Sequence, residues 1–177
     1  TLCLGLAVSG LQTAKADNIV IESGDWKITY IETNKAFRIN HKKADGSYRP
    51  VIINSIPEAS YNLIGKDTKT VTTASFAQMS YQAAEIEDEF GKGIDHCFSF
   101  GENSDDKGLI MQQSFRLYAN QAYIISALSL IHPDTLESNY LAPICTGSSV
   151  YTMYVNNSNN TYEAINTANV KQITFDS

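Results

Sequence analysis

Apolar and polar residues alternate one for one along four separate stretches of this chain. Trp26, Ile28 and Tyr30 alternate with Lys27 and Thr29. Phe37, Ile39 and His41 alternate with Arg38, Asn40 and Lys42. Ile94, His96, Phe98 and Phe100 alternate with Asp95, Cys97 and Ser99. Leu109, Met111, Phe115 and Leu117 share one parity, and Gln112, Ser114 and Arg116 the other. A period of two puts successive side chains on opposite faces of a strand. A helix through the last stretch would set Gln112, Gln113 and Arg116 on the same stripe as Leu109, a poor core face. Residues 122–131 are apolar on both parities, which predicts a central strand buried on both sides.

Turn chemistry falls between these runs. Asp45-Gly46 follows the strand ending near Lys42 and predicts a hairpin. Phe90-Gly91-Lys92-Gly93 predicts another, its glycines supplying positive φ. Residues 101–108 form a polar loop, Asn120-Gln121 a tight turn, and Pro133 and Pro143 punctuate the last third. No segment carries a capped helical stripe. The expected fold class is therefore all-β, an antiparallel β-sandwich.

The length of 177 residues suits one domain with a sizeable core. A formal charge of −6 argues against nucleic acid, whose affinity rests on Lys and Arg contacts to phosphate. Near the start, Leu2-Cys3-Leu4-Gly5-Leu6-Ala7-Val8 precedes Ala14-Lys15-Ala16. That order reads as a signal-peptide remnant over residues 1–16, cleaved near Ala16, and implies export to a periplasm or beyond. The apolar run is too short to span a bilayer. Cys97 and Cys145 would remain after cleavage; in an oxidising compartment they could pair, or stay as buried thiols. Residues 17–150 are expected to form the sandwich, and residues 151–177, rich in Asn, a truncated linker toward a missing catalytic domain.

Chemistry-bearing residues are sparse. Glu85, Glu87 and Glu89 alternate with Ile86, Asp88 and Phe90. Paired carboxylates can serve acid–base work or calcium, but an acidic run normally marks a solvated face. Asp105 and Asp106 lack EF-hand spacing and read as solvated loop residues. His41, His96 and His132 are scattered. A mutarotase-like reaction needs a His acid and a carboxylate base on one sugar, yet His96 and Asp95 are strand neighbours and face opposite ways. No nucleophile elbow, phosphate loop or dinucleotide fingerprint occurs, and neither a metal nor a cofactor is expected.

Three stretches in order, Glu87-Asp88-Glu89-Phe90-Gly91-Lys92-Gly93, Gln112-Gln113-Ser114-Phe115-Arg116-Leu117-Tyr118-Ala119 and Glu137-Ser138-Asn139-Tyr140-Leu141-Ala142-Pro143-Ile144, carry a resemblance. The chain resembles the N-terminal β-sandwich of the α-galactosidase and raffinose-synthase-like glycoside hydrolases (clan D), in the form common among secreted enzymes of gut Bacteroidetes. The resemblance covers roughly residues 17–144 and implies a galactose-mutarotase-like supersandwich. In that family two aspartates on a C-terminal (β/α)8 domain act on α-linked carbohydrate, and retention sets their carboxyls about 5–5.5 Å apart. Such a barrel takes about 250 residues, so no residue here inherits a catalytic role. The implied role is a module that packs on the barrel, with Phe90, Lys92, Asn139 and Tyr140 as interface or pocket-rim candidates. Tyr140 and Leu141 face opposite ways if extended, so at least one should leave the core. The rival readings are a stand-alone carbohydrate-binding or surface sandwich, and a small mutarotase-like enzyme.

Overall fold

Alternation becomes strands throughout. The computed structural model describes residues 18–119 and 121–145 in full, and the backbone alone of residues 153–156 and 162–165. The strands are β1 (Ile19–Ser23), β2 (Trp26–Ile31), β3 (Ala36–Lys42), β4 (Tyr48–Ser55), β5 (Glu58–Leu63), β6 (Lys69–Thr72), β7 (Phe76–Asp88), β8 (Gly91–Asn103), β9 (Ile110–Tyr118), β10 (Ile124–Ile131), β11 (Leu136–Ala142), β12 (Met153–Asn156) and β13 (Tyr162–Ile165). A single 3-10 turn, Thr73–Ser75, interrupts them, and the described residues include no α-helix. The expected leader at residues 1–16 lies outside the described residues, as does most of the expected linker. No described helix is long and apolar enough to cross a membrane.

Three antiparallel sheets form, ordered β1-β2-β3-β4-β12-β13, β10-β9-β8-β7 and β11-β5-β6. Register explains why the first of these has a core face. Ile21 pairs with Ile28, Ile28 with Ile39 and Ile39 with Ile52, so one row of isoleucines crosses four strands. All four are buried. Each contributes roughly 1.5–3 kcal/mol by leaving water. Facing that row, Phe98, Phe100 and Phe115 of the second sheet meet Tyr30 and Phe37 of the first. The Phe37 ring lies 5.0 Å from both Phe98 and Phe115, and Tyr30 lies 5.5 Å from Phe98. Ala59, Tyr61 and Val71 of the third sheet close the same cluster. The chain is thus an all-β antiparallel sandwich.

Two local expectations need correction. Residues 122–131 do not form a central strand: β10 is the outer strand of its sheet and pairs with β9 alone. Only Leu128 in it is buried, and Ile131 is 42% exposed. Apolar residues on both parities do not by themselves require cover on both faces. At the second hairpin, Gly91 does take a positive φ of 110°, but Gly93 does not. Gly93 serves close approach instead, since a Cβ there would stand 2.6 Å from the Leu117 carbonyl oxygen. The Asp45-Gly46 hairpin is as expected, with Gly46 at φ 81° and the Ser47 amide donating to Asp45 Oδ1 at 2.9 Å.

Candidate functional site

At one end of the sandwich, the β7–β8 hairpin, the β1–β2 turn and the β9–β10 connection gather aromatic side chains. The hairpin pairs Asp88 with Gly91, so Glu89 and Phe90 form its two-residue tip. Asp88 holds that tip in place. Its Oδ1 accepts the Phe90 amide at 2.9 Å and its Oδ2 accepts the Tyr118 hydroxyl at 2.7 Å. Burial, with Asp88 as hydrogen-bond acceptor, pushes the Tyr118 pKa up to about 12. Arg116 sits between two carboxylates, with Nη1 3.9 Å from Asp88 and Nε 3.5 Å from Asp95. Asp88 is therefore a tie between strands and not the freely solvated acid that the acidic run implied. Glu85, Glu87 and Glu89 are exposed, as that run does predict.

Phe90 lies against Tyr118 at 5.8 Å and Tyr123 at 6.4 Å, and the two tyrosines are 6.3 Å apart. Phe90 remains 44% exposed and Tyr123 38%. Beside them opens a cleft of about 590 Å³. One wall is residues 23–26 and the other is residues 117–119 and 121–123. Trp26 stands in the first wall with its ring edge-on to His41 at 4.7 Å. The lining offers aromatic surface, the Ser23 and Tyr123 hydroxyls, the Gln121 amide and one carboxylate, Asp25. Among the described residues its lining has no histidine, cysteine or cation. Such a cleft can stack and hydrogen-bond a small molecule.

The four residues singled out from sequence divide between two places. Phe90 and Lys92 share the β7–β8 hairpin, where the Lys92 side chain is 79% exposed and its Nζ lies 3.8 Å from Glu87. Asn139 and Tyr140 stand on β11, at one edge of the third sheet, where the register shifts between Ser138 and Tyr140. Asn139 Nδ2 donates to Asn62 Oδ1 at 3.4 Å, and the Tyr140 hydroxyl donates to Glu58 at 2.5 Å. Both Tyr140 and Leu141 are exposed, so this segment does not pack wholly within the sandwich.

Two polar clusters have no forerunner in the sequence reading. Asp106, expected to be solvated, is almost wholly buried as a side chain. Its Oδ2 accepts the Tyr61 hydroxyl at 2.7 Å and its Oδ1 accepts His132 Nε2 at 2.9 Å. The Asp134 amide donates to His132 Nδ1 at 2.9 Å, which leaves the ring proton on Nε2. Burial works to raise the Asp106 pKa, but the Tyr61 and His132 hydrogen bonds, with the nearby Lys69 charge, outweigh it and hold the carboxyl below its usual range. This cluster ties β5 to the loops after β8 and β10. The second is the hydroxyl of Tyr81, 2.8 Å from His96 Nδ1. Burial lowers the His96 pKa against the opposing pull of Asp95. His96 meets Tyr81 while Asp95 meets Arg116, so the two do not converge as an acid–base pair. Among the described residues Cys97 and Cys145 are not bonded to each other, and no group of three His, Cys, Asp or Glu could hold a metal. Comparison with family models, curated proteins and solved structures finds no match to this chain.

Proposed function

We propose that the chain is a non-catalytic β-sandwich module of an exported, α-galactosidase-like glycoside hydrolase acting on α-linked carbohydrate, with the chemistry carried on a (β/α)8 domain. One observation supports this reading: one end of the sandwich exposes aromatic rings around a cleft with no acid–base pair among the described residues. His96, His132, Asp88 and Asp106 are each held in hydrogen bonds that tie strands and loops together. The sequence resemblance supplies the partner domain and the substrate class. Reading the gene beyond Ser177 and assaying the chain on aryl α-galactosides tests it. A barrel with paired aspartates downstream, and no turnover by the chain alone, is the expected result. Turnover by the isolated chain that Asp88→Asn abolishes would overturn it.

A second reading, a stand-alone carbohydrate-binding sandwich, draws on the exposure of Phe90 and Tyr123. A stop codon directly after Ser177, joined to saccharide binding, would favour it over the first.

A further inference from the structure

We propose that His132 is a pH-operated switch at the joint between β10 and β11, in which protonation of Nδ1 exchanges the Asp134 amide for the Asp134 carboxylate and reshapes the turn over residues 132–135. The switch is independent of the proposed function and operates with or without a catalytic partner domain.

The turn is set by its sequence, His132-Pro133-Asp134-Thr135. Proline has no N–H, so the first amide after His132 belongs to Asp134. That amide donates to His132 Nδ1 at 2.9 Å and closes the turn through the ring. On the other side of the ring, Nε2 donates to Asp106 Oδ1 at 2.9 Å. One nitrogen accepts and the other donates, which the neutral Nε2–H form alone satisfies. The ring is closely held. Its side chain is 5% exposed, and a Cβ on Gly108 would stand 3.0 Å from Nε2 and 2.9 Å from Pro133 Cδ. The loop after β8 thus closes directly on the turn.

Histidine changes charge between about pH 5 and pH 8. A proton from solvent adds at Nδ1, because Nε2 already carries one. The Asp134 amide then meets an N–H in place of a lone pair and must leave. A receiver for the new N–H is at hand, since Asp134 Oδ2 lies 4.0 Å from Nδ1 on a side chain that is 77% exposed and free to swing. Around the ring, the charged neighbours are Asp106 and Asp134. Behind Asp106 stand the Tyr61 hydroxyl of β5 at 2.7 Å and Lys69 Nζ of β6 at 3.8 Å, which also donates to the Asp105 carbonyl. Asp106 is held below the usual carboxylate range, so it stays ionised and accepts Nε2–H on both sides of the switch. Only the Nδ1 contact changes. β11 starts at Leu136, directly after the turn, and pairs with β5 through Ser138 and Tyr61. The switch therefore sits at the root of the strand that exposes Tyr140 and Leu141.

The experiment records the histidine ring and backbone amide nitrogens of the intact 15N-labelled chain by NMR from about pH 8 to about pH 5. Loss of signals in His132→Gln identifies the His132 ring. The expected result is a bare Nδ1 and a protonated Nε2 at the upper end. As the pH falls, Nδ1 gains its proton and the Asp134 amide signal moves with the same midpoint. Asp134→Asn keeps the amide and removes the receiving carboxylate, and is expected to lower the midpoint by about 0.2–0.7 on the pH scale, the size of one exposed ion pair. His132→Gln offers an acceptor and a donor at every pH, and is expected to leave the Asp134 amide still. Circular dichroism of each variant establishes that the sandwich is intact. Protonation of Nδ1 with the Asp134 amide unmoved would overturn the switch, as would a ring still neutral at the acid end. An unshifted midpoint in Asp134→Asn, or an Asp134 amide that titrates equally in His132→Gln, would overturn it too.

Discussion

Two aromatic clusters in this molecule use the same residue types at similar spacing and end in opposite conditions. In the core, Tyr30, Phe37, Phe98, Phe100 and Phe115 lie 5.0–6.5 Å from their neighbours and are sealed from water. At the hairpin end, Phe90, Tyr118 and Tyr123 lie 5.8–6.4 Å apart, yet two of the three stay more than a third exposed. Ring packing therefore does not tell a buried core from an exposed surface cluster. What differs is the second layer. The core rings of one sheet face the rings of another, whereas the hairpin rings are backed on one side by Asp88 and Arg116 and open on the other.

The comparison breaks most visibly at Phe98, whose ring meets Tyr30, Phe37, Tyr81 and Phe115. Phe98→Ala is expected to cost about 3–5 kcal/mol in a denaturant melt, with an unchanged cleft in whatever population stays folded. Next comes the tie that holds the third sheet against the loops. Asp106→Ala leaves the Tyr61 hydroxyl and His132 Nε2 without their acceptor and should cost about 2–3 kcal/mol. The pH dependence carries a sign. The folded Asp106 carboxyl lies below its ordinary value of 3.8. Its contribution is therefore whole above that value and lost as the pH falls through the folded one. Melts of the wild type and of Asp106→Ala should thus converge on acidification; parallel curves down to pH ~2 would deny the carboxylate that role.

A smaller effect is expected where the two clusters join. Gly93→Ala presses a Cβ on the Leu117 carbonyl and the Tyr118 ring, which stand 2.6 and 2.9 Å from it. We expect a loss of about 1–2 kcal/mol and a changed Trp26 emission, because the β9 end forms the cleft wall. The least effect on stability should come from Tyr123→Ala, within about 0.5 kcal/mol because the residue is on the surface. A loss as large as that at Phe98, measured the same way, would show that the hairpin cluster is core after all.

Strand positions were legible in the sequence because alternation is local. The parity of residues 26–30, 37–42, 94–100 and 109–117 places Ile28, Tyr30, Phe37, Ile39, Phe98, Phe100, Met111 and Phe115 inside, and all are buried. Sheet order was not legible. The apolar residues of β10 fit a central strand as well as an outer one, because strand composition does not name its neighbours. Asp106 was misread for a related reason: its partners Tyr61 and His132 lie 45 and 26 residues away. Of the candidate site, Phe90 could be found from its turn. That Trp26 and Tyr123 stand beside each other could not, since only the folded sheets bring the β1–β2 turn beside the β9–β10 connection.

β7 is the longest outer strand described, 13 residues with its far side unpaired among the described residues. A bare edge of that length is a template on which another chain can add a strand and begin a fibre. Near the hairpin end it carries the exposed Glu85 and Glu87, with Glu89 just beyond. A neighbour pairing there would have to crowd its own backbone and side chains against a row of like charges. The acidic run, read from the sequence as a solvated face, lies where its charges would oppose such pairing.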